Sequence, residues 1–169
     1  MSKAFTREDD GAELEEIPSV RPQLPAGANN YITRTGGERL EQRLRELLAE
    51  KQALMADADG SSESGQRKME SAIRNLQEIL KSVVVTGPPV DREKIAFGAT
   101  VTIRYPNAEE EVFRIVGIEE ADPQQGSVSW MSPLARALVS RKAGDKVKFR
   151  SPAGEQELTI LSVRYQPDS

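Results

Sequence analysis

Two stretches, GERLEQRLRELLAEKQAL at residues 37–54 and QRKMESAIRNLQEILKSV at residues 66–83, carry the same rhythm. In the first, Leu40, Leu44, Leu47 and Leu54 recur at spacings of four and three, with Lys51 in the remaining slot. In the second, Met69, Ile73, Leu76, Leu80 and Val83 repeat it, which is heptad spacing. Asp57-Ala-Asp-Gly-Ser-Ser-Glu-Ser-Gly-Gln66 lies between them and is polar throughout. If the chain folds back there, Leu54 meets Met69, Lys51 meets Ile73, Leu47 meets Leu76, Leu44 meets Leu80 and Leu40 meets Val83. The midpoint of every pair falls near Ser61 and Ser62, inside the polar loop. An antiparallel coiled-coil hairpin closed within one chain follows, and with it a monomer. The competing arrangement, an intermolecular coiled coil, is disfavoured because arms of about three heptads are short for it. Each arm of about 19 residues spans roughly 28 Å at 1.5 Å per residue. Glu41, Arg45, Glu50, Arg67, Arg74 and Glu78 keep the outer faces wet, so the hairpin projects.

Outward from the hairpin the pattern changes. Residues 1–30 hold three basic and six acidic side chains with Pro18, Pro22 and Pro25, and read as a disordered tail. Thr33 and Thr35 are candidate N-caps, and Thr35 with Glu38 has capping-box spacing, so the helix is expected to start there. The second arm is expected to run out as Val83-Val-Val85 gives way to Thr86-Gly-Pro-Pro-Val90. This divides the chain into a tail at 1–30, a hairpin at 31–85, a linker at 86–96 and a C-terminal domain at 97–166.

In the last part the period is two. Thr100–Tyr105 and Glu111–Ile118 alternate around Pro106-Asn107, which predicts a β-hairpin. Ser127–Met131 is a third strand, and Pro133–Val139 a short helix with Ser132 as N-cap and Pro133 in the first helical position. Val147–Arg150 and Glu157–Tyr165 complete four or five antiparallel strands with one helix packed on a curled sheet. The fold class is α+β: an N-terminal helical hairpin plus a small antiparallel β domain with one helix.

Composition narrows the function. The 169 residues carry no cysteine and no histidine, which removes thiolate chemistry, disulfides, the commonest general base and the commonest zinc ligand. No apolar run is long enough to span a bilayer and the N-terminus lacks a signal-peptide core, so a cytoplasmic protein without membrane contact is expected. A net charge of −4 does not suit a free-standing duplex-DNA binder. Arg136, Arg141, Lys142, Lys146, Lys148 and Arg150 form a local basic run, either a solvated face or a partner-facing patch.

From Asn30 to Tyr165 the sequence resembles the bacterial GreA/GreB transcript-cleavage factors. The resemblance rests on Asn30-Tyr-Ile-Thr33 before the hairpin, then Phe97-Gly-Ala-Thr-Val101, Phe113-Arg-Ile-Val-Gly117, Ser132-Pro-Leu-Ala-Arg-Ala-Leu138, Gly144-Asp145 and Ser151-Pro-Ala-Gly-Glu155, in that order. Met1-Ser-Lys-Ala-Phe-Thr6 is similar to GreB-type starts. The resemblance implies an FKBP-like C-terminal domain docked on the rim of the RNA polymerase secondary channel, with the hairpin inserted. It implies that Ser132, Pro133, Leu134 and Arg136 contact the polymerase, and that nucleic acid is met only through the elongation complex. Tip acids in such factors help to hold a magnesium ion in the polymerase active site, so the factor is an accessory rather than an enzyme and has no metal of its own. Asp57, Asp59 and Glu63 are the tip candidates, and hard Mg²⁺ accepts such oxygen ligands.

Three departures bear on this. Asp59 and Glu63 are four apart where the family spacing is three, with Gly60 at the matching Asp position; Met131 replaces an acidic residue of GreB-type proteins; and each arm is shorter by about two turns, or about 10 Å. As plain helix-terminus residues, Glu63 and Asp59 would sit well before the second arm. A channel-occupying regulator without cleavage activity is therefore the alternative, and a module for a non-polymerase partner the next. A peptidyl-prolyl isomerase would need an aromatic-lined pocket from Phe97, Tyr105, Phe113, Trp130, Phe149 and Tyr165, several of which the core requires. Leu138 and Trp130 are expected to be core residues.

Overall fold

The structure, a computed structural model, describes residues 24–56, 63–152 and 154–167. The first 23 residues of the expected tail lie outside the described residues, as do Asp57 and Asp59.

Helix α1 spans Arg34–Ala56 and α2 spans Glu63–Ser82. Leu47, Ile73 and Leu76 are buried between them, with Leu40, Leu44, Met69 and Leu80 packed against these three, which is the seam read from the heptads. Lys51 does not enter the seam fully; its Nζ lies 2.9 Å from the Glu70 carboxylate. The cap is Thr33 rather than Thr35, because the Thr33 Oγ1 accepts from the Gly36 N–H at 3.0 Å. Helix α1 therefore starts four residues before Glu38 and takes Gly36 and Gly37 into its first turn, against their propensity of about 1 kcal/mol each. Both glycines are buried, and tertiary contact decides the outcome.

Two further differences from expectation occur at the hairpin root. Asn30–Ile32 forms strand β1, and Val83–Val85 leaves the helix as strand β2. They pair in parallel, Asn30 with Val83 and Ile32 with Val85, and the Thr86 N–H extends the ladder to the Ile32 carbonyl at 2.9 Å. Three successive β-branched residues favour this over another helical turn.

The C-terminal sheet has the order β5-β4-β3-β7-β6, built from β3 (Ala99–Arg104), β4 (Glu110–Val116), β5 (Ser127–Ser129), β6 (Lys146–Ser151) and β7 (Gly154–Tyr165). It is antiparallel except that β5 runs parallel to β4. Helix α3, Pro133–Leu138, lies between β5 and β6 in the chain. Ala99, Val101 and Ile103 of β3, Phe113 and Ile115 of β4, and Leu158 and Ile160 of β7 face one core with Ile95, Ala135, Leu138 and Val147. The pairing of β3 with β7 slips by one residue between Thr102 and Ile103. That bulge moves the inward set of β7 from Leu158 and Ile160 to Val163 and Tyr165, so one strand serves the core along its length.

Candidate functional site

Two parts of the molecule carry the sequence-derived site, the segment around α3 and the free end of the hairpin, and the structure adds a third, the joint between them.

At α3 the Ser132 Oγ accepts from the Ala135 N–H at 3.1 Å, with Pro133 at the first helical turn. Pro133 and Arg136 are exposed, Ser132 is half-buried, and Leu138 is wholly in the core. Leu134 is half-buried and packs on the core cluster, so its side chain serves the fold as well as any outer surface. Of the basic run, the strand members face acidic partners across the sheet: Lys148 is opposite Glu157, Arg150 opposite Glu155, and the Lys146 Nζ lies 3.2 Å from Glu157. Arg136, Arg141 and Lys142 remain as exposed cations. The run thus divides into a charge ladder on β6 and a smaller basic cluster beside α3.

At the other end, Glu63 opens α2, where a carboxylate complements the partial positive charge of a helix N-terminus. Its side chain is 88% exposed and lies 3.5 Å from Arg67 one turn on. Asp57 and Asp59, the other candidates, cannot be placed beside it because they lie outside the described residues. The aromatic residues considered for a pocket are committed elsewhere: Phe113 is buried, and Tyr105, Trp130, Phe149 and Tyr165 pack on the core.

The joint was not foreseen from the sequence. After β4 the chain makes a 3-10 turn at Ile118–Glu120, which returns the Glu120 carboxylate to the hairpin root. Its Oε2 accepts from the Thr33 N–H at 2.8 Å and from the Gly117 N–H at 3.1 Å. Its Oε1 accepts from the Thr33 hydroxyl. Having given its one proton to Glu120, that hydroxyl accepts from the Gly36 N–H and, at 3.1 Å, from the Thr35 hydroxyl. One residue thereby caps α1 and ties it to the C-terminal domain. Beside it the Tyr31 ring lies 5.9 Å from Phe97 and 5.5 Å from Trp130, edge-on to the latter. Trp130 is therefore half-buried at a joint as well as packed on the core. Close approach is required here: a Cβ on Gly36 would stand 2.1 Å from the Glu120 Oε1, and one on Gly117 would stand 2.1 Å from the Tyr31 carbonyl oxygen. The sequence signal available was two adjacent glycines in a helix start, which marks close backbone approach without saying to what.

Residues 90–165 match the family model for the C-terminal part of the transcription elongation factors GreA and GreB. The chain is 35% identical over 153 residues to transcription elongation factor GreB of Neisseria meningitidis serogroup B, covering 80% of this chain and 94% of that one. It is 36% identical over 151 residues to transcription elongation factor GreA of Chloroflexus aurantiacus, covering 79% and 96%. The crystal structure of GreA factor homolog 1 from Thermus thermophilus is 25% identical, covering 81% of this chain and 99% of that one, with a TM-score of 0.39. With more than nine-tenths of two relatives matched at about one residue in three, the similarity reaches well beyond residues 90–165, and the chain belongs to the GreA/GreB family of transcription elongation factors.

Proposed function

We propose that this chain acts on RNA polymerase as a Gre-type elongation factor, with the C-terminal domain docked on the rim of the secondary channel and the hairpin inserted into it. The observation that carries this is the near full-length similarity to elongation factors of a chain whose hairpin and C-terminal domain are joined at one root. Docking runs through the segment Ser132, Pro133, Leu134 and Arg136, with Arg136, Arg141 and Lys142 as the cationic side of the contact. Charge attraction from this cluster would raise the association rate more than the final affinity. The protein is an accessory: the shared Mg²⁺ belongs to the polymerase, and this chain offers carboxylates at the free end. Glu63 is exposed there, and a hard cation that keeps several waters needs only one or two added oxygens.

A second version, occupancy of the channel without stimulated cleavage, is supported by Glu63 lying 3.5 Å from Arg67 on its own helix and by the shorter arms that resemblance to the cleavage factors implies. One experiment separates them: a backtracked elongation complex incubated with this protein, beside competition against a longer Gre factor. Competition is expected, and Arg136→Glu is expected to weaken it by about tenfold, or about 1.4 kcal/mol. Leu134→Asp is the poorer test because Leu134 also packs on the core. Cleavage that disappears in Glu63→Ala would assign the tip a role in the polymerase centre, whereas competition without cleavage would make the protein an occupant of the channel. If it neither competes nor cleaves, its partner is not the polymerase.

A further inference from the structure

We infer that Glu120 is a positioning residue: its carboxylate fixes the direction in which the hairpin leaves the C-terminal domain, and so decides where the tip points once α3 has docked. Four observations carry this. Glu120 belongs to the C-terminal domain, yet its carboxylate accepts both the backbone N–H and the hydroxyl of Thr33, the residue that caps α1. The same oxygen that takes the Thr33 N–H also takes the Gly117 N–H, so the carboxylate is held on its own side and cannot follow the hairpin if the root swings. Gly36 leaves just the room that the carboxylate fills. Tyr31, on the strand that leads into the cap, lies against Phe97 and Trp130 and stops the root from pivoting about the Glu120 contact. The lever is long: α1 has 23 residues, about 34 Å at 1.5 Å per residue, so a tilt of a few degrees at the root displaces the far end by ångströms. A binding surface at α3 and a working end on the hairpin can cooperate only if this joint is stiff.

The donor pattern makes a specific demand. Thr33 and Gly117 present three donors to two carboxylate oxygens. A Gln at 120 could keep its carbonyl oxygen on the two N–H groups and turn its amide toward the Thr33 hydroxyl, which would then donate to Thr35 instead. Shape is thus kept while charge is lost. Ala removes every contact, and Gly36→Ala expels the carboxylate while improving helix propensity in α1.

The test uses the full chain, which has no native cysteine, with spin labels at Gln52→Cys on α1 and Lys148→Cys on β6. The parent should give one narrow inter-label distance. Glu120→Ala and Gly36→Ala should each broaden it into a wide distribution, and Glu120→Gln should stay narrow. Helix content measured by circular dichroism should be kept in Gly36→Ala, so that a broadened distance there reports a loosened joint rather than an unfolded hairpin. A narrow, unshifted distance in Glu120→Ala overturns the inference, and so does a Glu120→Gln protein as broad as Glu120→Ala. The consequence for tip placement rests on the proposed docking to polymerase. There, Glu120→Ala should bind core polymerase within about threefold of the parent yet lose the hairpin-dependent effect on elongation, with Glu120→Gln restoring it. If the parent does not bind polymerase at all, the docking proposal fails while the distance measurement still decides the joint.

Discussion

Tyr105 closes the β3–β4 hairpin, where its hydroxyl donates to the Glu111 carboxylate. Burial is the main reason its phenol is pushed up to about 12, with the Glu111 hydrogen bond and the charges of Glu111 and Glu109 adding in the same direction. The sign of the linkage is definite. In the unfolded chain the phenol loses its proton near pH 10, while the folded protein holds it to about 12. Its contribution to stability is therefore complete below about pH 10 and is lost as the pH rises toward 12. Ultraviolet difference titration should show a tyrosine component ionising near pH 12, and Tyr105→Phe should remove it. A Tyr105→Phe titration indistinguishable from the parent would contradict the assignment. Tyr165 is also raised, chiefly by burial, and its hydroxyl donates to the Lys94 carbonyl while accepting from the Ala96 N–H. It will move in the same direction, so only the difference between the two proteins identifies Tyr105.

Within the elements, Lys51 is the exception in an otherwise apolar seam. Its ion pair with Glu70 draws that carboxyl below its ordinary range, first through the hydrogen bond and then through the charge itself. Both side chains are more than a third exposed, so solvent screens the pair and it adds little to stability. A leucine at 51 would complete the seam beside Leu47 and Leu54, and partial burial of such a side chain is worth about 1–2 kcal/mol. Lys51→Leu is therefore expected to raise the thermal midpoint of the hairpin and return Glu70 to the ordinary carboxylate range. A lowered midpoint would mean that the polar slot sets the register of the arms, as single polar positions do in other coiled coils. The seam was legible because periodicity is local and the loop midpoint constrains the pairing. Strands β3, β4, β6 and β7 were legible for the same reason, to within a residue or a few. What escaped were features set by distant neighbours. Val83 continues the heptad pattern on paper, and the β-branched run it opens turns to strand where β1 lies alongside it. Helix α1 begins early because Gly36 is covered by Glu120, which also holds Thr33 from 87 residues away. The α3 segment was readable because Ser132 caps its own turn; Glu120 was not, because nothing near it in sequence says what it reaches.

At the scale of the molecule, the proposed docking to polymerase would put the α3 segment, the joint and the hairpin in series, with the reach of the tip depending on all three. The joint sets direction, the arms set distance, and the acids matter only if both are right. The arms allow a clean test of distance. One heptad inserted into each, between Leu47 and Lys51 in α1 and at the facing position between Ile73 and Leu76 in α2, preserves the phase of both seams. Seven residues are close to two turns, and extend the hairpin by about 10 Å at 1.5 Å per residue. That is the shortfall implied by resemblance to the cleavage factors. If distance is the limit, the lengthened protein should stimulate cleavage in backtracked complexes above the level of the parent, and Glu63→Ala in the lengthened protein should abolish the gain. If it competes as well as the parent but still adds no cleavage, reach is not the obstacle. The deficiency would then lie in tip chemistry, where the resemblance implies an aspartate at the position that Gly60 occupies. Gly60→Asp in the lengthened background would decide that case, because it supplies an aspartate three residues before Glu63, the spacing that the resemblance implies.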